Sequence, residues 1–151
     1  ELDEVRKILS PGELELFERM QPGEQAHSIA VMRRLQSQAE TEHDLLVAAL
    51  LHDVGKSLHP LRVWERVLVV WAAAVSPALL AHWGGGEPHG WRRPFVVAVQ
   101  HPAWGADLAE SRGVSPGAVE LIRIHQNYLP VQTVYSTETL LRKLQAADGS
   151  S

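Results

Sequence analysis

The chain has 151 residues, 45% hydrophobic and 21% charged, with a formal net charge of -4; that is enough for one domain with a real core and too acidic for a nonspecific nucleic-acid binder, which carries a basic face. It has no cysteine, so disulfides and thiolate metal sites are excluded and any metal must be held by nitrogen and oxygen. Eight histidines in a chain without thiols point toward imidazole ligation.

The pattern is helical nearly throughout. Asp3 to Leu9 reads as a short helix. Ser10-Pro11 is an N-cap followed by an N1 proline and opens a helix to about Met20. Pro22 opens a third, to about Gln38. Thr41 to Asp44 is polar and helix-initiating, with Asp44 or Thr41 as the cap. The apolar run Leu46 to Leu51 follows, and a soluble protein buries such a run. Gly55 breaks that helix. Pro60 to Val75 forms the next helix, and Ser76-Pro77 opens a short one ending at Gly84. Gly84 to Pro88 is a loop. Pro94 to Arg112 is helical, kinked at Pro102, with Gly113 at C′. Ser115-Pro116 opens a helix to about Asn127, Tyr128 to Tyr135 connects, and Thr137 to Ala147 is the last helix. Val131 to Tyr135 is the nearest thing to a strand pattern. These elements predict an all-α, single-domain helical bundle over residues 1–151, with its core at about 24–148.

The longest uncharged run, Val67 to Trp83, has Pro77 inside it and falls short of the roughly 20 residues of a spanning helix. No transmembrane segment is therefore expected; the run reads as a buried or partner-facing helix, with surface membrane contact as the lesser alternative. No signal-peptide pattern is visible, the start at Glu1 reads as a processed or trimmed terminus, and the default compartment is the cytoplasm.

His52 and Asp53 follow the apolar run at once, so an imidazole and a carboxylate arrive together on the edge of the core. A buried carboxylate without a partner is costly, and the partner that suits both is a cation. Helical spacing places further candidates on inward faces. His101 has Val97 and Ala98 behind it, His125 has Leu121 and Ile122, Asp148 has Leu144, and His27 faces the same way through Ala30 and Val31. Bundle interiors hold metals by such side chains. Any one of these histidines alone is more often a core residue bonded to a carbonyl; the adjacent Asp53 sets His52 apart. His43, His59 and His89 lie in polar or loop segments, whereas His82 has Ala78 and Leu79 behind it and is not excluded by facing.

The residues resemble the HD-domain superfamily of metal-dependent phosphohydrolases. The resemblance rests on His27 in Gln25-Ala26-His27-Ser28, on Leu50-Leu51-His52-Asp53-Val54-Gly55-Lys56, and on Asp148 in Ala146-Ala147-Asp148. It implies that His27, His52, Asp53 and Asp148 bind one metal. His101-Pro102-Ala103-Trp104-Gly105 and Ile122-Arg123-Ile124-His125 resemble elements of the six-ligand, dinuclear branch, which implies that Asp53 bridges two ions and that His101 and His125 serve the second. The implied cofactor is a divalent transition metal, one or two ions of Fe, Mn, Co, Ni or Zn, with Mg also accommodated. The implied activity is metal-dependent hydrolysis of a small phosphorylated substrate such as a nucleotide, with Asp53 and Lys56 catalytic. The chain lacks the extended Gly-Tyr-Pro signature of cyclic-di-nucleotide phosphodiesterases, which argues against that substrate.

Lys56 reads either as a contact to substrate phosphate or as a cation at a helix C-terminus. Arg62, Arg66, Arg92 and Arg93 are further candidates for that phosphate contact, with solvated surface as the first reading of each. Core packing is the first reading of Trp64 and Trp71, with a base-stacking wall or a homodimer face as alternatives; Trp104 is the best stacking candidate. Two other functions fit the same cage, a metal-retaining but non-catalytic nucleotide-binding or regulatory module and a di-iron oxygenase.

Overall fold

A computed structural model of the protein describes residues 1–126 and 136–149. The helices are α1 (Leu2–Arg6), α2 (Pro11–Glu18), α3 (Pro22–Ser37), α4 (His43–Leu51), α5 (Val63–Val75), α6 (Pro77–Trp83), α7 (Arg93–Ser111), α8 (Pro116–Ile124) and α9 (Ser136–Gly149), with 3₁₀ turns at Val54–Leu58 and Gly90–Arg92. No strand occurs among the described residues. The expected connection at Tyr128 to Tyr135, the strand-like Val131 to Tyr135 and the helix end at Asn127 lie outside them.

Prolines and their preceding caps set most helix starts. The Ser10 hydroxyl accepts from the Glu13 N–H and the Glu13 carboxylate accepts from the Ser10 N–H, a closed capping box. Ser76 and Ser115 accept from Leu79 and Ala118 in the same way. α7 ends in a Schellman motif: Gly113 sits at φ +75°, its N–H donates to Glu110, and the Val114 N–H donates to Ala109.

Leu45 to Leu51 are all buried, so α4 is apolar on every side and lies at the centre. Helices α2, α3, α8 and α9 pack around it, and α7 packs on α8 and on the Val54–Leu58 turn. Each fully buried leucine here contributes about 1.5–3 kcal/mol.

Several local expectations need correction. α4 stops at Leu51, before His52, so Gly55 does not break it; Gly55 lies inside the 3₁₀ turn. Neither Thr41 nor Asp44 is the N-cap of α4, which is Glu42. The Asp44 carboxylate instead accepts from the Ser115 hydroxyl (2.6 Å) and sits where a Cβ on Gly117 would touch it. It serves the N-terminus of α8, where a negative charge is favourable. Trp64 and Trp71 are not core residues. Of α5 only Glu65 and Ala72 are buried, and its large apolar side chains face outward.

Candidate metal centre

Three buried imidazoles have one ring nitrogen fixed by the backbone. His52 is the C-cap of α4 and its Nδ1–H donates to the Ala49 carbonyl (3.0 Å). His125 is the C-cap of α8 and its Nδ1–H donates to the Ile122 carbonyl (2.8 Å). Both carbonyls lie in the last turn of a helix, where intrahelical donors run out. His101 is in the middle of α7, where no such carbonyl is expected. Pro102 supplies one: it has no N–H, so the Ala98 carbonyl four residues earlier loses its donor. His101 Nδ1–H donates to Ala98 (3.0 Å) and Val97 (3.1 Å). In all three rings Nδ1 carries the proton, because a carbonyl can only accept, and the neutral ring presents its lone pair at Nε2. Backbone bonding of this kind orients imidazole ligands and sets their tautomer.

The Asp53 carboxylate lies among these lone pairs. Its Oδ1 is 3.7 Å from His52 Nε2 and 3.2 Å from His101 Nε2. Yet His101 Nε2 is buried and makes no hydrogen bond, because both atoms are acceptors. A buried acceptor facing a carboxylate is unfavourable unless a cation lies between them. Asp53 Oδ2 accepts from the Lys56 ammonium at 2.6 Å.

On the other side of His52, His27 from the middle of α3 is hydrogen-bonded to Asp148 from the last turn of α9, Nε2 to Oδ1 at 2.8 Å. Asp148 Oδ1 is also 3.7 Å from His52 Nε2. The rings form a chain, with centroids 5.4 Å apart for His27–His52, 5.2 Å for His52–His125 and 5.3 Å for His101–His125. The end of α9 is held in place by bonds from Arg34 to the Ala147 carbonyl and from Gln145 to the His125 carbonyl (2.8 Å).

Five of the six side chains fall into two overlapping sets, and Asp148 adjoins the first through its bond to His27. His27, His52 and Asp53 bring their ligand atoms within 4.8 Å of one another, and so do Asp53, His101 and His125. Asp53 belongs to both. The donor set is imidazole and carboxylate, with one orphaned lone pair, and it fits a divalent transition ion.

The electrostatics agree with the geometry. Burial works against ionisation of Asp53, but nearby positive charge, the Lys56 ammonium above all, outweighs it and holds the carboxyl well below the usual range. Burial pushes His101 down and, with His52 and His101 beside it, pushes His125 down to about 3. His27 moves the other way: its bond to Asp148 outweighs burial and raises its pKa. The Asp148 carboxyl is opposed by burial and lowered by His27.

Two glycines let the halves of the site meet. A Cβ on Gly55 would lie 2.0 Å from the His101 carbonyl oxygen and 2.7 Å from the Gly105 nitrogen. One on Gly105 would lie 3.1 Å from the Gly55 nitrogen. The turn carrying Asp53 and Lys56 therefore rests directly on the α7 backbone that carries His101.

A cleft of about 240 Å³ opens beside the centre, lined by Lys56, Arg66, Val69, Val70, His101 and Gln126 among others. Arg66 is not plain solvated surface, as its sequence context suggested. It bonds to Gln21 and to the buried Glu24 (3.0 Å) and forms part of the cleft wall. Glu24 was its only sequence signal, an acid near the start of α3 that also accepts from the Gln21 N–H. Arg93 pairs with Glu65 (2.6 Å) and Arg92 donates to the carbonyls of His82 and Trp83. His43, His59, His82 and His89 join no metal-capable group among the described residues. Trp104 lies against His59 (5.2 Å) and does not line the cleft.

Fold and site together define an all-helical protein with a buried imidazole–carboxylate cage of the kind that holds divalent cations. The family model for the HD domain matches residues 25–149. The chain belongs to the HD-domain superfamily of metal-dependent phosphohydrolases. No curated protein and no solved structure matches it.

Proposed function

We propose that the protein hydrolyses a small phosphorylated molecule, with a nucleotide as the leading class, and that His27, His52, Asp53, His101, His125 and Asp148 hold two divalent ions with Asp53 shared between them. The observation that carries this reading is the position of the Asp53 carboxylate between two histidine sets, one of which presents an unpaired buried lone pair to it. His27 and Asp148 share a proton in their hydrogen bond, which they would have to release to serve as ligands. Bound ions supply Lewis acidity, which makes water acidic enough to attack phosphorus near neutral pH.

The chain's own residues do the rest. Phosphoryl transfer is mostly positioning and charge stabilisation. Lys56 and Arg66 put two cations on the wall of one cleft, and an anionic phosphate entering there meets both. Lys56 is tied to Asp53, so the residue that orients the carboxylate common to both histidine sets also lines the cleft. Arg66 is steadied by Glu24, which leaves its guanidinium pre-organised rather than free. The small volume of the cleft suits a single phosphorylated head group better than an extended polymer.

The test is hydrolysis by protein purified with Mn²⁺ or Fe²⁺, against phosphatase and phosphodiesterase reporters and a nucleotide panel. Turnover of at least one substrate is expected, and Asp53→Ala should abolish it together with metal binding. Stoichiometric metal with no product from any substrate would overturn the catalytic reading and leave a binding module.

A further inference from the structure

Glu24 puts an acid in the wall of a cleft that also carries Lys56, Arg66 and His101. It is buried, with 4% of its surface exposed. It sits in the first turn of α3, three residues before His27, so the Cβ atoms of the two lie about 5–6 Å apart on one side of the helix. Its carboxylate is only partly occupied. Oε2 accepts from the Gln21 N–H at 3.1 Å and Oε1 accepts from Arg66 Nη2 at 3.0 Å. A carboxylate offers about four acceptor positions, so about half remain. Arg66 is held in the same partial way. Its Nη2 donates to Glu24 and to Gln21 Oε1, which uses both hydrogens on that nitrogen. Its Nε and Nη1 make no hydrogen bond among the described residues, and the side chain is 40% exposed.

The chemistry of this pair limits what it can bind. The guanidinium can serve a phosphate oxygen, but the carboxylate beside it repels one. Glu24 therefore needs a donor from whatever enters the cleft. An ammonium group is poorly served, because Lys56 and Arg66 face it with like charge. A hydroxyl suits both halves at once: its O–H donates to a carboxylate, and its lone pairs accept from a guanidinium. The remaining wall is largely apolar, with Leu61, Val69, Val70 and Ala98, and that lining suits the carbon skeleton that bears such a hydroxyl.

We propose that Glu24 and Arg66 together read a hydroxyl on the alcohol part of the substrate, so that the cleft takes the phosphate ester of a sugar or polyol in preference to that of a plain alcohol. This rests on the hydrolytic reading above and narrows its substrate class. The sugar is either free or the ribose of a nucleotide, and both present the same group. Glu24 lies one helical turn from His27, so the hydroxyl it meets is within a few bonds of the ester.

The test uses protein purified with Mn²⁺ and two matched pairs of compounds: glycerol 3-phosphate against propyl phosphate, and adenosine 5′-monophosphate against its 2′,3′-dideoxy analogue. In at least one pair kcat/KM should be about tenfold or more higher for the hydroxylated member, since a site built to bond a hydroxyl rejects the analogue lacking it. A preference in the glycerol pair assigns a free sugar or polyol phosphate, and one confined to the nucleotide pair assigns the ribose. Glu24→Gln keeps the bulk, and glutamine at that position still closes the capping box, so the melting curve should hold while the preference falls by about tenfold. Equal kcat/KM within both pairs overturns the proposal, and so does a preference that the folded variant retains in full. The wild-type comparison decides even where the variant fails to fold. Should no compound turn over, the hydrolytic reading fails separately, and calorimetry of the same four compounds on the Mn²⁺ protein decides the inference. Tighter binding of a hydroxylated member then supports it, and equal or absent binding overturns it.

Discussion

Pro102 does for His101 what a helix end does for His52 and His125: it leaves a carbonyl without its usual donor, and the imidazole takes the vacancy. Pro102→Ala restores an N–H that competes for the Ala98 carbonyl. The ring then loses one of the two carbonyls that fix it. Metal affinity, read by titration calorimetry, should fall by about tenfold, the lower end of what loss of an orienting partner costs, with helix content unchanged. At this scale much of the centre was legible. His52-Asp53 stood out because an unpaired acid next to a core run has no inexpensive explanation, and the other four candidate ligands lay on inward faces. The Asp44–Ser115 contact was not legible, because a cap served across 71 residues leaves no local spacing. The anchoring of Arg66 was not legible for the same reason, since its partner Glu24 is 42 residues away.

At the scale of elements, the turn Val54–Leu58 and α7 meet backbone to backbone through Gly55 and Gly105. Gly55→Ala forces a methyl into the His101 carbonyl, where there is no flexible side chain to yield. A cost of about 1–3 kcal/mol is expected from overpacking, visible in urea unfolding, with a parallel loss of metal binding because His101 must shift. The opposite outcome is expected at the end of α3. Ala39 is exposed and sits at φ +60°, the C′ position of a Schellman motif in which Glu40 and Ala39 donate to Leu35 and Gln36. An L-residue pays about 1–2 kcal/mol in that conformation. Ala39→Gly removes the clash and adds some unfolded-state entropy, so a net gain of about 0.5–1 kcal/mol is expected. Helix starts were readable because Ser-Pro pairs are local signals. The orientation of α5 was not. Periodicity marks an apolar face without saying whether protein or something outside it covers that face.

For the whole molecule, the buried imidazoles make stability depend on pH. His125 is lowered to about 3 and His101 is lowered too, while an unfolded histidine titrates near about 6.5. The unfolded chain therefore binds these protons first. Their contribution is complete above about pH 6.5 and is lost as pH falls toward the folded values. His27 is raised and has the reverse sign, its contribution being present at low pH and lost as pH rises through its folded value. It is one half-buried ring against two buried ones. Metal-free protein should thus melt at a lower temperature near about pH 5 than near about pH 7. His125→Gln should flatten that slope, and an unchanged slope would show that burial of this ring does not control it.

The bond between His27 and Asp148 spans 121 residues of chain. A nascent polypeptide presents five of the six proposed ligands before α9 brings the last. Complete capture of an ion by the six proposed ligands would therefore wait for α9 to fold back onto α3, after the helices that carry the other five have been made.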